Sequence, residues 1–322
     1  MSHPTGPASG LPVRMPRPRQ PGRHRRPEPL AAPEGAPALV LAVPGTPSSE
    51  TRSQAEEVLS IARSELPGLD ARIGYVDGND EEFPSLGAVL SKAAAERSER
   101  AQRIALIREQ ISEDEAADAS EMPEMPDLDG PVAVVVPLLA GPDSALMRRI
   151  RQAVMDSRTA AELTDVLGPH PLLAEALHVR LSEAGLARAD RARLFTVATA
   201  ADGIILATVG GDEAVQAAGI TGMLLAARLA VPVLAAALDV DGAIANTAEQ
   251  LRNSGSAQLA LAPYLVGPEV AQGLLKAAAD EAGCASAEPL GAYPTIGRLV
   301  LGKYATALGI SHPQLQGTSP VR

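Results

Sequence analysis

The sequence runs to 322 residues, 46% of them apolar, which allows one large domain or two of ordinary size with a real core. Only 2% are aromatic and the formal net charge is −11, so base-stacking platforms and a basic phosphate-binding surface are not expected, and with them no nucleic-acid partner. A single cysteine, Cys284, rules out an intramolecular disulfide and a multi-cysteine metal cage, and reads as a small apolar filler.

In chain order, residues 1–37 come first, rich in Pro, Gly and Arg, and are expected to be a disordered tail because they hold too little apolar surface to offset ordering entropy. This start has basic residues but no apolar core of a secretory signal, and no apolar run reaches the roughly 18 residues of a membrane span. With the lone cysteine, that sets the expected location in the cytoplasm, away from membranes. Strands are expected at Ala38–Val43, Ala71–Val76, Val132–Leu139, Gly203–Thr208, Val231–Leu238 and Ala257–Leu265, all continuous apolar runs of the kind buried on both faces. Helices are expected over 50–65, 86–107, 143–155, 171–185, 213–229, 242–253, 268–282 and 294–308, with Pro171 and Pro294 in first turns. Nine carboxylates within 108–130 lack calcium-loop spacing and read as a solvated insertion.

The pattern repeats. Leu-Ala-Val-Pro-Gly-Thr (41–46) matches Leu-Ala-Thr-Val-Gly-Gly (206–211), an offset of 165; residues 135–142 match 261–268, an offset of 126; and 167–171 match 290–294, an offset of 123. The fold expected is α/β, two tandem similar halves, each a roughly four-stranded parallel sheet flanked by helices. Their bounds are 38–186, with the acidic insertion, and 187–310, followed by a flexible tail at 311–322.

Ligands of open parallel sheets bind beyond the carboxyl ends of the strands. There the sequence places Gly45 and Thr46 in the first half and Gly210 and Gly211 in the second, turns whose backbone N–H groups can meet a ligand. After the third strand of each half stand Asp143 and Glu269, an equivalent pair that can cap helices or hold a hard cation. His170 lies in a turn after the fourth element, where the other half has Tyr293, and suits a turn hydrogen bond. His178 falls on the flank of helix 171–185 and is expected to be solvated.

The run Val-Val-Val-Pro-Leu-Leu-Ala-Gly (134–141), then Leu-Gly-Pro-His-Pro-Leu-Leu (167–173), after a strand ending in a Gly turn, resembles the sirohydrochlorin chelatase family (CbiX and SirB type). The strongest matches are Val132–Gly141, Val166–Leu173 and Glu288–Tyr304. The resemblance implies a lyase that inserts cobalt, iron or nickel as substrate metal into a tetrapyrrole, in cobalamin or siroheme synthesis. That family carries histidines after the first and third strands; here Pro44 and Val209 stand in the first position, and Pro142-Asp143 and Pro268-Glu269 follow the third strands. Three readings follow. One is a chelatase-type protein with weakened or lost catalysis that still binds a tetrapyrrole or metal. The second is an active enzyme using Asp143, Glu269 and His170. The third is a non-enzymatic interaction protein on the same scaffold.

Overall fold

The computed structural model describes residues 31–33, 35–113, 130–187, 200–267, 269–270 and 273–309. The expected tails (but for 31–33 and 35–37) and most of the acidic insertion lie outside these residues.

The first sheet holds β1 (Ala38–Val43), β2 (Ala71–Tyr75), β3 (Ala133–Pro137) and β4 (Ala161–Leu163), in the order β2-β1-β3-β4. The second holds β5 (Gly203–Thr208), β6 (Val233–Ala237), β7 (Leu259–Pro263) and β8 (Ala285–Ser286), in the order β6-β5-β7-β8. All pairings are parallel, and the registers correspond: Leu39 faces Ala71 and Val134 as Ile204 faces Val233 and Ala260. β1, β3, β5 and β7 are buried along their whole length, as continuous apolar strands between two helical layers should be.

Eight helices connect them among the described residues: α1 (Ser49–Glu65), α2 (Leu86–Glu113), α3 (Ser144–Asp156), α4 (Pro171–Glu183), α5 (Gly211–Leu229), α6 (Ala243–Asn253), α7 (Leu274–Ala282) and α8 (Pro294–Ala307). α1 starts at a capping box in which Ser48 and Thr51 satisfy each other's backbone N–H groups. Pro171 and Pro294 open α4 and α8, where a missing N–H costs nothing. α7 begins six residues later than expected because Gly273, at φ 92°, caps it in the left-handed region.

The packing is not that of two separate halves. α2 and α3 cover the outer face of the first sheet, and α6 and α7 that of the second, each pair over its own apolar cluster. The inner faces share one core that joins Leu39, Leu41 and Val136 to Ile204, Leu206 and Tyr264. Within it the last helix of each half crosses over: α4 packs on α5 and β7 of the second sheet, and α8 on α1 and β3 of the first. Arg180 of α4 accordingly donates to the Leu290 carbonyl at 3.1 Å, and Tyr304 of α8 donates to the Pro37 carbonyl at 2.7 Å. This exchange buries His178 to 4% exposure, against the solvated position expected, because its flank of α4 faces α5, where Arg228 Nε donates to His178 Nδ1 at 2.8 Å.

Candidate functional site

The carboxyl ends of the two sheets meet across the shared core. A Cβ on Gly210 would lie 2.6 Å from the Pro142 carbonyl oxygen and 3.1 Å from Asp143 Cα, so the turn after β5 rests directly on the turn after β3. Gly210 also has φ 114°, so both its conformation and its contact demand glycine. At the counterpart contact, Gln54 of α1 donates to the Val266 carbonyl at 2.7 Å and lies within 2.6 Å of where a Gly267 Cβ would stand. Tyr264, fully buried just past β7, accepts a hydrogen bond from the Thr221 hydroxyl at 3.2 Å, and its own hydroxyl stands 2.1 Å from where a Gly168 Cβ would be.

The polar side chains singled out in the sequence sit at these turns, each bound to backbone. Asp143 caps α3, one carboxylate oxygen accepting from Ala145 N and Leu146 N at 2.9 Å. Glu269 accepts from Val266 N at 2.9 Å and Gly267 N at 2.6 Å; burial pushes its pKa up while these N–H groups pull it down. His170 caps α4 through Nδ1, accepting from Leu172 N at 3.1 Å, and burial, then the Lys303 charge, holds it below the usual imidazole range. Asp143 is thus brought against Gly210, whereas Glu269 stands at the other contact beside Gln54, and no hydrogen bond joins the three among the described residues. Nor do any three His, Cys, Asp or Glu side chains among these residues gather as a metal site. Pro44 is buried and Val209 is half-buried.

The glycine turns differ between the halves. Gly210 N and Gly211 N donate to the carboxylate of Asp239, at 3.1 and 3.4 Å, so that an internal anion fills the second turn. Asp239 lies two residues past β6, and the sheet registers make Asp77, two residues past β2, its counterpart. Asp77 instead pairs with Arg149 of α3. The N–H groups of Gly45 (φ 82°) and Thr46 therefore have no hydrogen-bond partner among the described residues, with Gly45 half-buried and Thr46 exposed. On the same edge Arg52 lies 4.6 Å above the Phe83 ring and pairs with Glu82 at 3.0 Å. Neither Asp77 nor Asp239 was singled out in the sequence. Extending the repeat through Tyr75-Val76-Asp77 and Ala237-Leu238-Asp239, an offset of 162, would have found them.

Two cavities lie at the opposite, amino ends of the strands: one of about 420 Å³ bordered by His178, Asp202 and Arg228, and one of about 470 Å³ bordered by Arg72, Arg100 and Arg103. No helix among the described residues is long and apolar enough to cross a membrane.

No protein-family model matches the chain, and no curated protein matches it. Among solved structures it is similar to a periplasmic ribose ABC transporter from Conexibacter woesei, at 12% identity over 92% of this chain and 90% of that one, with a TM-score of 0.32. It is similar also to an ABC sugar transporter subunit from Rhodobacter sphaeroides, at 11% identity over 88% and 96% of the two chains, with a TM-score of 0.30. Likenesses this slight assign no ligand. The sequence reading is corrected on the family comparison: no family model, that of the sirohydrochlorin chelatases included, matches the chain, and neither structure named above is titled as a chelatase. Tetrapyrrole metal insertion for cobalamin or siroheme, and the retained tetrapyrrole binding expected with it, are withdrawn.

Proposed function

We propose that the protein binds a small molecule through a carboxylate or phosphate group at the Gly45–Thr46 turn. The observation that carries this reading is the contrast between the two halves. The second glycine turn closes on its own Asp239, whereas the first leaves two adjacent N–H groups unbonded among the described residues because Asp77 pairs with Arg149. Adjacent N–H groups in a turn with a positive φ form a concavity suited to an anionic oxygen, and Asp239 occupies the equivalent concavity in the other half. Gly45 and Thr46 are the ligand-binding pair in this reading, and Gly210 and Gly211 bind only once Asp239 is removed.

The test is an amide NMR titration of the full chain with inorganic phosphate and, separately, citrate. The Gly45 and Thr46 resonances should shift with at least one of them while those of Gly210 and Gly211 stay put. The variant Asp239→Ala should add Gly210 and Gly211 to the responding set. No response at Gly45 and Thr46 to either anion, or an equal response of both turns in the unaltered chain, overturns the reading.

A further inference from the structure

The two sheets end in edge strands that the chain treats differently. An exposed edge strand presents unpaired N–H and C=O groups, and natural proteins blunt such edges with charge, local covering or other devices. β2 shows these devices: Arg63 donates to the Ala71 carbonyl, Arg72 is paired with Asp70 and Glu96 at 2.6 Å, and Tyr75 N donates to the Pro84 carbonyl at 2.9 Å. β6, its equivalent, has none of them among the described residues. It reads Val-Leu-Ala-Ala-Ala, without a charge, and Leu234, at the register position of Arg72, is 37% exposed.

The helix beside this edge repeats the contrast. The buried residues of α1 (Thr51, Ala55, Val58, Leu59, Ala62) and of α5 (Ala214, Ala218, Thr221, Gly222, Leu225) align one for one at an offset of 163. On the solvent side, that alignment puts Ile220 at the place of Glu57, Met223 at that of Ser60 and Ala227 at that of Ser64. Ile220 is 47% and Met223 67% exposed. The stripe lies on the outer face of the same helix that borders this edge: Gly222 faces Val233 of β6, with a Cβ there 3.4 Å from Cγ1, and Met223 follows it in sequence. The first half shows that the fold itself does not require an apolar surface here.

We infer that the β6 edge and the apolar stripe of α5 form a docking surface for a second copy of this chain, β6 pairing antiparallel with β6 of the other copy about a two-fold axis at Ala235. Such a contact is self-complementary and closes after two chains. It joins two four-stranded sheets into one of eight and pairs the backbone groups of both open edges. Leu234 then faces Ala236 of the other copy on one side of the sheet, and Val233 faces Ala237 on the other, all apolar partners. Two chains of net charge −11 repel one another, and an uncharged strip is where a twin meets the least local like charge. A strand of five residues, about 17 Å long, with one flanking helix, is smaller than the roughly 800 Å² per partner of a standard interface, so the association is concentration-dependent.

Sedimentation velocity of the full chain from about 1 to about 200 µM tests this; the range spans that expected for a small interface. The mass should rise from one chain toward two and no further. Leu234→Lys and Met223→Glu, both at exposed positions, should remain monomeric throughout with unchanged circular dichroism, while Ser60→Glu, on the equivalent face of the first half, should dimerise normally. A single-chain mass at the highest concentration, growth beyond two chains, or dimerisation that survives both variants overturns the inference. It stands apart from the ligand reading, because the anion titration is run on the monomeric variants as well.

Discussion

Glycine 297 offers the sharpest test of how the shared core is held. It lies in α8 where that helix crosses α1, and a Cβ there would stand 2.6 Å from both Cβ and Cγ2 of Ile61 and 3.0 Å from the Val58 carbonyl oxygen. Neither neighbour yields easily: one is a β-branched side chain with a stiff χ1, the other is backbone. Gly302, five residues on in the same helix, has no such atom within 4 Å. Replacing either by Ala gains about 1 kcal/mol of helix propensity. At 302 that gain stands alone, whereas at 297 it is opposed by overpacking of about 1–3 kcal/mol. Propensity cancels in the comparison, so Gly302→Ala should exceed Gly297→Ala in stability by about 1–3 kcal/mol. At about 2–4 °C per kcal/mol for a chain of this order of size, the two melting temperatures should separate by roughly 2–12 °C. With no Trp in the sequence, urea unfolding followed by far-ultraviolet circular dichroism is the suitable assay. Equal stabilisation by both substitutions would refute the α1–α8 crossing described above.

Three further outcomes are expected. Tyr264→Phe should lower stability by about 1 kcal/mol in the same unfolding assay, because it leaves the buried Thr221 hydroxyl without its bond. Asp143→Ala should cost about 1 kcal/mol through loss of the α3 cap, and Asp143→Asn should recover most of it. The third is a pH dependence. His170 is held below its ordinary value of 6.5 in the folded chain, so near and below that pH the unfolded chain binds the extra proton first, and stability falls as pH drops. His170→Asn keeps a capping side chain, so melting scans from pH 7.5 to 5.0 should show a shallower decline than the unaltered protein; identical slopes would dispose of the assignment.

Much of the architecture was legible in the sequence because β1, β3, β5 and β7 are apolar without interruption and the same turns recur after them. β4 and β8 were not, since runs of three and two residues, Ala-Glu-Leu and Ala-Ser, carry no periodicity to read. The exchange of α4 and α8 was equally hidden. Hydrophobic spacing tells that a helix has a buried face but not which sheet receives it, and the misplacement of His178 follows from that gap. At the strand ends the sequence showed which residues stand there but not their hydrogen-bond partners. From their types and positions Asp143 and Glu269 suited caps and His170 a turn hydrogen bond better than ligands, but the N–H groups each one bonds became visible only in three dimensions. The acids that distinguish the two glycine turns, Asp77 and Asp239, escaped notice because each follows an edge strand whose partner in the repeat differs in every residue.

The crossing of α4 and α8 makes the two halves hostages of one another. A protease cut between residues 187 and 200 would sever the covalent link yet leave each fragment holding the helix that roofs the other's sheet. Neither fragment alone could cover its inner apolar face, so the pieces should co-migrate until denatured and regain structure only when mixed. By the same geometry, a chain carrying one half alone could bury that face only by lending its last helix to a twin.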